Sequence, residues 1–337
     1  MLPYIAKRSV AAFFMALAAT LAVFLIAHMV PTDPILAMLG DLAAANPDTV
    51  ARFRAQWGLD QSLLAQYWIF LDGLFHGDLG VSIVTRRGVL EDILQYAPAT
   101  FELATAAALL VVLVGLPLGI LASIYRDRWV DHLARVVSLI GVAAPTFWLA
   151  FLALALFYGG LQIAPSPGRL GIGDIAPPHV TGFYTIDALL AGDYDTFYSA
   201  LAHLVMPAAV LAASTLGLIT RTTRSSMLEA LGQDYVRVAR AKGLFEAQVV
   251  AGHALPNALI PVVTLGGLAY AELMAGAVMT ESIFAWPGLG RYTYQSAVAL
   301  DFPAILGVTL VVAIIYLLMN LAVDVSYALL DPRVVRR

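Results

Sequence analysis

The sequence predicts an all-α integral membrane protein with six transmembrane helices, both termini cytoplasmic, and a folded outer loop between the first two helices. Two observations carry this. Of 337 residues, 61% are hydrophobic and 12% are charged, and the only lysines are Lys7 and Lys242. A typical globular chain is about 45–50% apolar and about 25% charged, so the apolar excess here must face lipid. The mean hydropathy of +0.83 agrees. Second, six segments reach the roughly 20 apolar residues that a helix needs to cross a bilayer. Buried backbone must be paired within lipid, and the alternation of a membrane barrel is absent, so the segments are helices. This composition excludes a soluble enzyme, a disordered chain and a nucleic-acid binder. With no cysteine, there is no disulfide framework, thiolate metal site or cysteine nucleophile.

The first element, residues 1–30, is a short basic tail and a helix from about Ser9 to Val30. Lys7 and Arg8 precede it as they would a signal peptide, but the apolar run is long and reaches His28-Met29-Val30-Pro31 without a small-x-small cleavage site. It therefore reads as a retained span. Residues 31–99 form the extracytoplasmic loop region. Asn46-Pro47-Asp48 starts a helix with Val50, Phe53 and Trp57 at helical spacing, Gln66 to Leu74 gives another, and Gly77-Asp78-Leu79-Gly80 is a turn. Residues 100–337 supply the other five spans: Thr100–Tyr125, Leu133–Gly160, Ala200–Thr220, Ala258–Ile283 and Ile305–Leu329. Pro117, Pro145 and Pro207 interrupt three of them, as packing features or as kinks that let helices rock. The loop Leu161–Ser199, with Asp174, Asp187, Asp193 and Asp195, reads as a solvated cap. With the N-terminus inside, thirteen Lys and Arg residues lie on the inner side and six on the outer, over longer outer loops. This is the positive-inside signature.

The inner loop from Arg221 to Pro256 is polar and basic. Asp234 suits the N-cap of a helix through Ala241, Gly243 suits a left-handed terminator, and Glu246 opens a second short helix that Pro256 limits. A simple tether would have no such structure. On these residues alone, contact with anionic lipid through Arg237, Arg240 and Lys242 and docking of a protein partner fit equally well.

The stretch Asp234-Tyr235-Val236-Arg237-Val238-Ala239-Arg240-Ala241-Lys242-Gly243-Leu244, continuing to His253-Ala254-Leu255-Pro256, resembles the EAA loop of permease subunits of binding-protein-dependent ABC importers. That pattern reads Glu-Ala-Ala, three residues, Gly, nine residues, then Ile-x-Leu-Pro. Gly243, Leu255 and Pro256 stand at the required spacing and Ala239 matches the second alanine. Arg237 replaces the Glu, Val238 the first Ala and His253 the Ile, so no acid-specific contact carries over to Arg237. Gly58-Leu59-Asp60, Gly77 to Ser82, Pro145 to Trp148, Arg221 to Met227, Glu281 to Gly290 and Asp324 to Arg333 resemble further segments of the dipeptide/oligopeptide/nickel branch, in its B-type subunit. The resemblance implies a bacterial cytoplasmic-membrane permease forming half of a path for di- or oligopeptides. It implies as partners a second homologous permease (C-type), two ABC ATPase domains, an extracytoplasmic binding protein and membrane lipid. It also places the ATPase contact on Tyr235, Arg237, Ala239, Arg240, Ala241, Lys242, Gly243, Leu244, Leu255 and Pro256.

The residues agree that this chain hydrolyses nothing itself. A P-loop needs Gly-Lys-Ser/Thr, whereas Lys7 precedes Arg8 and Lys242 precedes Gly243. No cofactor is expected on this chain; ATP and Mg belong to the partner ATPases. The six histidines have no ligand spacing, so no metal is expected. Charges at membrane depth are costly and turn toward a bundle interior or an aqueous path. Glu272, Glu281, Asn320 and Asp324 are therefore candidates for the translocation pathway, Glu272 near a peptide's amino end. Glu281 would alternatively brace the Trp286-Pro287-Gly288 turn, and Asp324 would pair with Arg333 or Arg135. Two other classes remain as alternatives: an intramembrane enzyme using Glu272 and Asp324, and a homo-oligomeric channel. Within the importer class, nickel, glutathione or oligosaccharide is the alternative cargo.

Overall fold

The structure, a computed structural model, describes residues 2–29, 46–48, 50–52 and 60–330. Among them, extended pairing is confined to one bridge between Val81 and Gly88. The helices run α1 (Leu2–Met29), α2 (Leu63–Phe75), α3 (Val89–Leu110), α4 (Leu116–Ile124), α5 (Trp129–Ala143), α6 (Thr146–Ala153), α7 (Tyr184–Ala191), α8 (Tyr194–Leu231), α9 (Asp234–Ala241), α10 (Glu246–Val249), α11 (Leu255–Ile283), α12 (Leu289–Val298) and α13 (Phe302–Leu330). Three π-helical turns join them, at Val111–Gly115, Leu154–Gly160 and Val250–Ala254. Among the described residues five continuous helical segments are long and apolar enough to cross a membrane, and the bent pair Trp129–Ala143 and Thr146–Gly160, counted as one span, makes six. In the outer loop Asn46 does start a helical turn, its side chain accepting the Asp48 N–H at 3.0 Å. Phe53 and Trp57 lie outside the described residues.

Proline decides where the expected spans change. The expected single helix Leu133–Gly160 is two, bent by 109°. Pro145 drives its predecessor Ala144 into the extended region, at φ −82° and ψ 130°, and the helix restarts at Thr146. Pro117 and Pro256 act differently. Each lies two residues beyond a π turn, Val111–Gly115 or Val250–Ala254, in a Leu-Pro step. The widened π register absorbs both the ring and the missing N–H. The helix consequently passes through Pro256 rather than stopping there, and Glu246–Ala275 reads as one membrane-length run.

The fourth span is longer than expected. It starts where the Asp193 side chain accepts the Thr196 N–H at 3.1 Å. No Gly or Pro falls between Thr220 and Leu231, so the helix continues to Gly232, and Arg221 and Arg224 are helical rather than in a loop. At 38 residues α8 is about 57 Å long, nearly twice the hydrocarbon thickness. It packs against α3, α4, α5 and α11, and forms the axis of the molecule. The core around it uses small side chains: Ala99, Ala104 and Ala107 of α3, Ala208 and Ala212 of α8, Ala277 of α11, closed by Trp286. Such residues let helix backbones approach closely. At Gly141 and Gly217 the backbones of α5 and α8 come too close for a side chain. A Cβ on Gly141 would run into the Ala213 carbonyl, and one on Gly217 would sit 2.7 Å from the Ser138 oxygen. Outside this bundle α1 lies along α13 and meets α2, where Thr20 and Tyr67 hydroxyls are 2.9 Å apart.

At the end of α8 that carries its N-terminus, the segment 161–193 folds as a cap. Asp187 of α7 organises it, accepting N–H groups of Val180, Thr181 and Gly182 and the Thr181 hydroxyl at 2.7–3.2 Å. Burial pushes this carboxyl up, but those hydrogen bonds outweigh it and hold it below the usual carboxylate range. Its contribution is therefore present above about pH 4 and is lost as pH falls through the lowered native value. Arg169 is drawn beneath the cap. It donates to the Glu102 carboxylate of α3 at 2.5 Å and to the Gly182 carbonyl at 2.9 Å, and lies 3.5 Å over the Tyr184 ring.

Two outcomes follow from this packing. Gly141→Ala should lower the melting temperature in detergent, since overpacking costs about 1–3 kcal/mol, whereas Gly266→Ala, with open space around it, should not. Asp187→Ala should expose Arg169, which is 9% accessible, to trypsin at pH 7. Continued resistance at that bond would mean that Asp187 does not hold the cap closed.

Candidate functional site

The conspicuous surface lies at the other end of α8. There α9 and α10 form a helix–turn–helix held on the bundle by one apolar face. Val236 and Ala239 of α9 and Val249 of α10 bury against Met227 and Ala230 of α8, with Ile120 of α4 alongside. The periodicity is direct: 236 and 239 face inward, and 235, 237, 238, 240 and 241 face outward. Asp234 is the first residue of α9, and Gln233 holds the cap position that the sequence suggested for Asp234. Gly243 turns the chain at φ +82°, in the left-handed region where a side chain is strained. Its N–H returns to the Arg240 carbonyl at 2.9 Å. Across this turn Arg240 grips Glu246 with two hydrogen bonds, 2.6 and 3.1 Å long, fixing the two short helices relative to each other. The Gln248 side chain accepts the Phe245 N–H at 3.2 Å and closes the start of α10.

What remains outward is mixed. Tyr235, Val238 and Phe245 are 40%, 52% and 76% exposed, framed by Arg237, Arg240, Ala241 and Lys242. Arg237 is paired with Asp234 at 2.8 Å and Arg240 with Glu246. Ala239 is buried and anchors the element from beneath, while Leu244 and Leu255 are half-buried and Pro256 is exposed where α11 begins.

Beside this surface stands a polar hub that the sequence reading missed. Asp131 of α5 is buried and receives Arg224 of α8 through Nε at 2.5 Å and Nη2 at 2.8 Å, Arg135 through Nη2 at 2.5 Å, and the Asp127 N–H at 3.0 Å. Arg135, one of the two partners the sequence offered for Asp324, is engaged by Asp131 and Asp127. The available signal was Asp131 and Arg135 at four-residue spacing on one helix.

The remaining candidates do not come together. Glu281 is buried at the far end of α11, where it accepts the Thr100 hydroxyl at 2.6 Å and the Arg291 N–H at 3.0 Å. Its own carbonyl takes the Trp286 N–H at 2.8 Å, and the indole donates to the Ala99 carbonyl at 2.9 Å. It braces the Trp286 turn and presents no oxygen to the surface. Glu272 is exposed in the middle of α11, and Asn320 is half-buried on α13. The Asp324 side chain and Arg333 lie outside the described residues. Among the described residues no group of His, Asp or Glu is arranged to hold a metal.

Comparison with known proteins gives these features a context. The family described as "Binding-protein-dependent transport system inner membrane component" matches residues 115–336, and its N-terminal companion matches residues 1–104. The chain is 50% identical over 313 residues to the Probable D,D-dipeptide transport system permease protein DdpB of Escherichia coli K12, covering 93% of this chain and 92% of that one. It is 40% identical over 319 residues to the Dipeptide transport system permease protein DppB of the same strain, covering 94% and 93%. It is 42% identical over 338 residues to the Di/tripeptide transport system permease protein DppB of Pseudomonas aeruginosa UCBPP-PA14, covering 99% of both.

The hub yields a prediction. Asp131→Ala leaves two arginines without their shared partner and should cost roughly 3–5 kcal/mol. Pairing it with Arg224→Ala should cost less than the sum of the two single changes, read as melting temperatures of the detergent-purified protein. Additive losses would show that the two side chains do not act as a pair.

Proposed function

Because the chain belongs to the family of binding-protein-dependent transport system inner membrane components, we propose that it is one permease subunit of an ATP-driven importer of short peptides. In this reading the α9–Gly243–α10 element is the seat for an ATPase subunit. The observation that carries it is the outward surface of Tyr235, Val238 and Phe245 on a base anchored to α8 and α4. Large apolar residues exposed on a rigid, charged-rimmed element suit a protein partner better than a lipid headgroup. Two of the three basic residues there are already neutralised within the chain, which leaves Lys242 to attract anionic lipid.

The mechanism is mechanical. Motion of the seat reaches the spans by two routes: through Met227 and Ala230 into α8, and through the π turn Val250–Ala254 directly into α11. The Asp131–Arg224 pair would make α5 follow α8. ATP and Mg would be held by the partner ATPases. A homologous second permease would complete the path, and an extracytoplasmic binding protein would deliver cargo on the side of the 161–193 cap. The basic end of the molecule is then cytoplasmic. The relatives' names point to dipeptides as the cargo class.

Gly243→Val tests the seat. A β-branched residue at φ +82° costs about 1–2 kcal/mol and disturbs the turn, while the spans are untouched. We expect normal membrane insertion, loss of the ATPase subunit from a mild-detergent pull-down, and loss of most peptide uptake. Retained ATPase binding and uptake would count against the assignment. Uptake of nickel chelates or oligosaccharides in place of peptides would keep the importer and change its cargo.

A further inference from the structure

The proposed permease role leaves one group unused. Glu272 sits in the middle of α11, about 25 Å along the helix from Leu255. Its neighbours Ala271, Leu273, Met274 and Ala277 are buried in the bundle. Glu272 itself is exposed, as are Ala275 and Met279, and the line continues back through half-buried Leu268 and Thr264 to exposed Pro261. Spacings of three and four place all six on one face of the helix. Glu272 makes no hydrogen bond or ion pair among the described residues, in contrast to Glu102 and Glu281, which are both fully engaged.

An acidic side chain facing hydrocarbon at this depth is costly, so this face does not look at lipid. A water-lined path removes the cost, and a cation within it supplies the missing partner. We propose that the Pro261–Met279 stripe lines the translocation path and that Glu272 receives the cationic α-ammonium group of the passing peptide. This deepens the importer reading, on which it rests. The carboxylate stands on the helix that emerges from the ATPase seat through the π turn, so movement of the seat displaces it and can release the bound ammonium. Peptides with a free amino terminus are then the preferred cargo.

The chain contains no cysteine, so single thiols can be introduced without background from this subunit. We would place Glu272→Cys, Ala275→Cys and, as a buried control, Leu273→Cys in the assembled complex in membrane vesicles, and treat each with a charged, membrane-impermeant thiol reagent. Labelling at 272 and 275 but not at 273 is expected. Protection of 272 and 275, with labelling appearing only after denaturation, would overturn the proposal and indicate that a partner helix covers this face. In parallel, ATP-dependent uptake of alanyl-alanine and of its N-acetylated form would be measured for the wild type, Glu272→Gln and Glu272→Asp. Glu272→Gln should lower uptake of the free dipeptide roughly tenfold, the scale of one charge-assisted hydrogen bond, with Glu272→Asp retaining most of it and the acetylated form insensitive. Equal uptake by wild type and Glu272→Gln would overturn the ammonium assignment. If the wild type imports neither peptide, the importer reading fails and the ammonium assignment falls with it; the labelling pattern still decides whether the stripe faces water.

Discussion

The close approach of backbones along α8 is the constraint on which the rest of the molecule depends. In lipid there is little hydrophobic reward for bringing one apolar helix to another, so association rests on dense contact and on polar pairs. Here the contact comes from Ala and Gly on α3, α5, α8 and α11, close enough that Gly141 meets the Ala213 carbonyl with no room for a methyl group. Because α8 outlasts the bilayer, the packing it begins in the membrane extends beyond it, and Met227 and Ala230 near its end become the floor on which α9 and α10 rest. The fold and the exposed element are therefore one continuous packing problem.

Polar pairs take over where small residues stop. Asp131 with Arg224 and Arg135 ties α5 to α8 at the basic end, and Glu102 with Arg169 ties the cap to α3 at the other. Each is a carboxylate with little or no exposure, Asp131 matched to the two-point fork of Arg224 and Glu102 to a single nitrogen of Arg169, and a desolvated ion pair holds position even where its net stabilisation is small. Between them the bundle is joined by neutral contacts, such as Thr105 with Tyr270 and the Thr220 hydroxyl on the Gly115 carbonyl, both 3.0 Å long. A bundle pinned at its ends by charge and joined in the middle by small residues suits sliding and rocking of whole helices.

Much of this was legible in the sequence. Hydropathy located the spans, and the sequence set Gly243 as the terminator of a helix ending at Ala241, which is where α9 ends. Less legible was what proline does at membrane depth. Pro145 breaks a span sharply, whereas Pro117 and Pro256 are absorbed by π turns, because the local register can widen where neighbouring helices hold the chain. The extension of α8 past Thr220 was hidden because Arg221 and Arg224 look like loop residues in a hydropathy profile, although nothing in 221–231 breaks a helix. Asp131 and Arg224 lie 93 residues apart, and no local pattern joins them. The exposure of Glu272 beside the burial of Glu281, nine positions along the same helix, follows from tertiary packing and is invisible to composition.

The π turn at Val250–Ala254 has a consequence for how such a chain can vary. A helix advances about 100° per residue, and a π turn carries one residue more than the α-helical turn it replaces. It therefore sets the angular phase between the short helices at the basic end and everything that follows in α11. Removing a single residue there would leave both segments helical and apolar yet rotate one against the other by more than a quarter turn, carrying Glu272 toward the bundle interior and a buried neighbour outward. Length is thus constrained more strictly than identity across this segment: side chains can be exchanged, but the residue count between Gly243 and Glu272 works as a fixed gear setting.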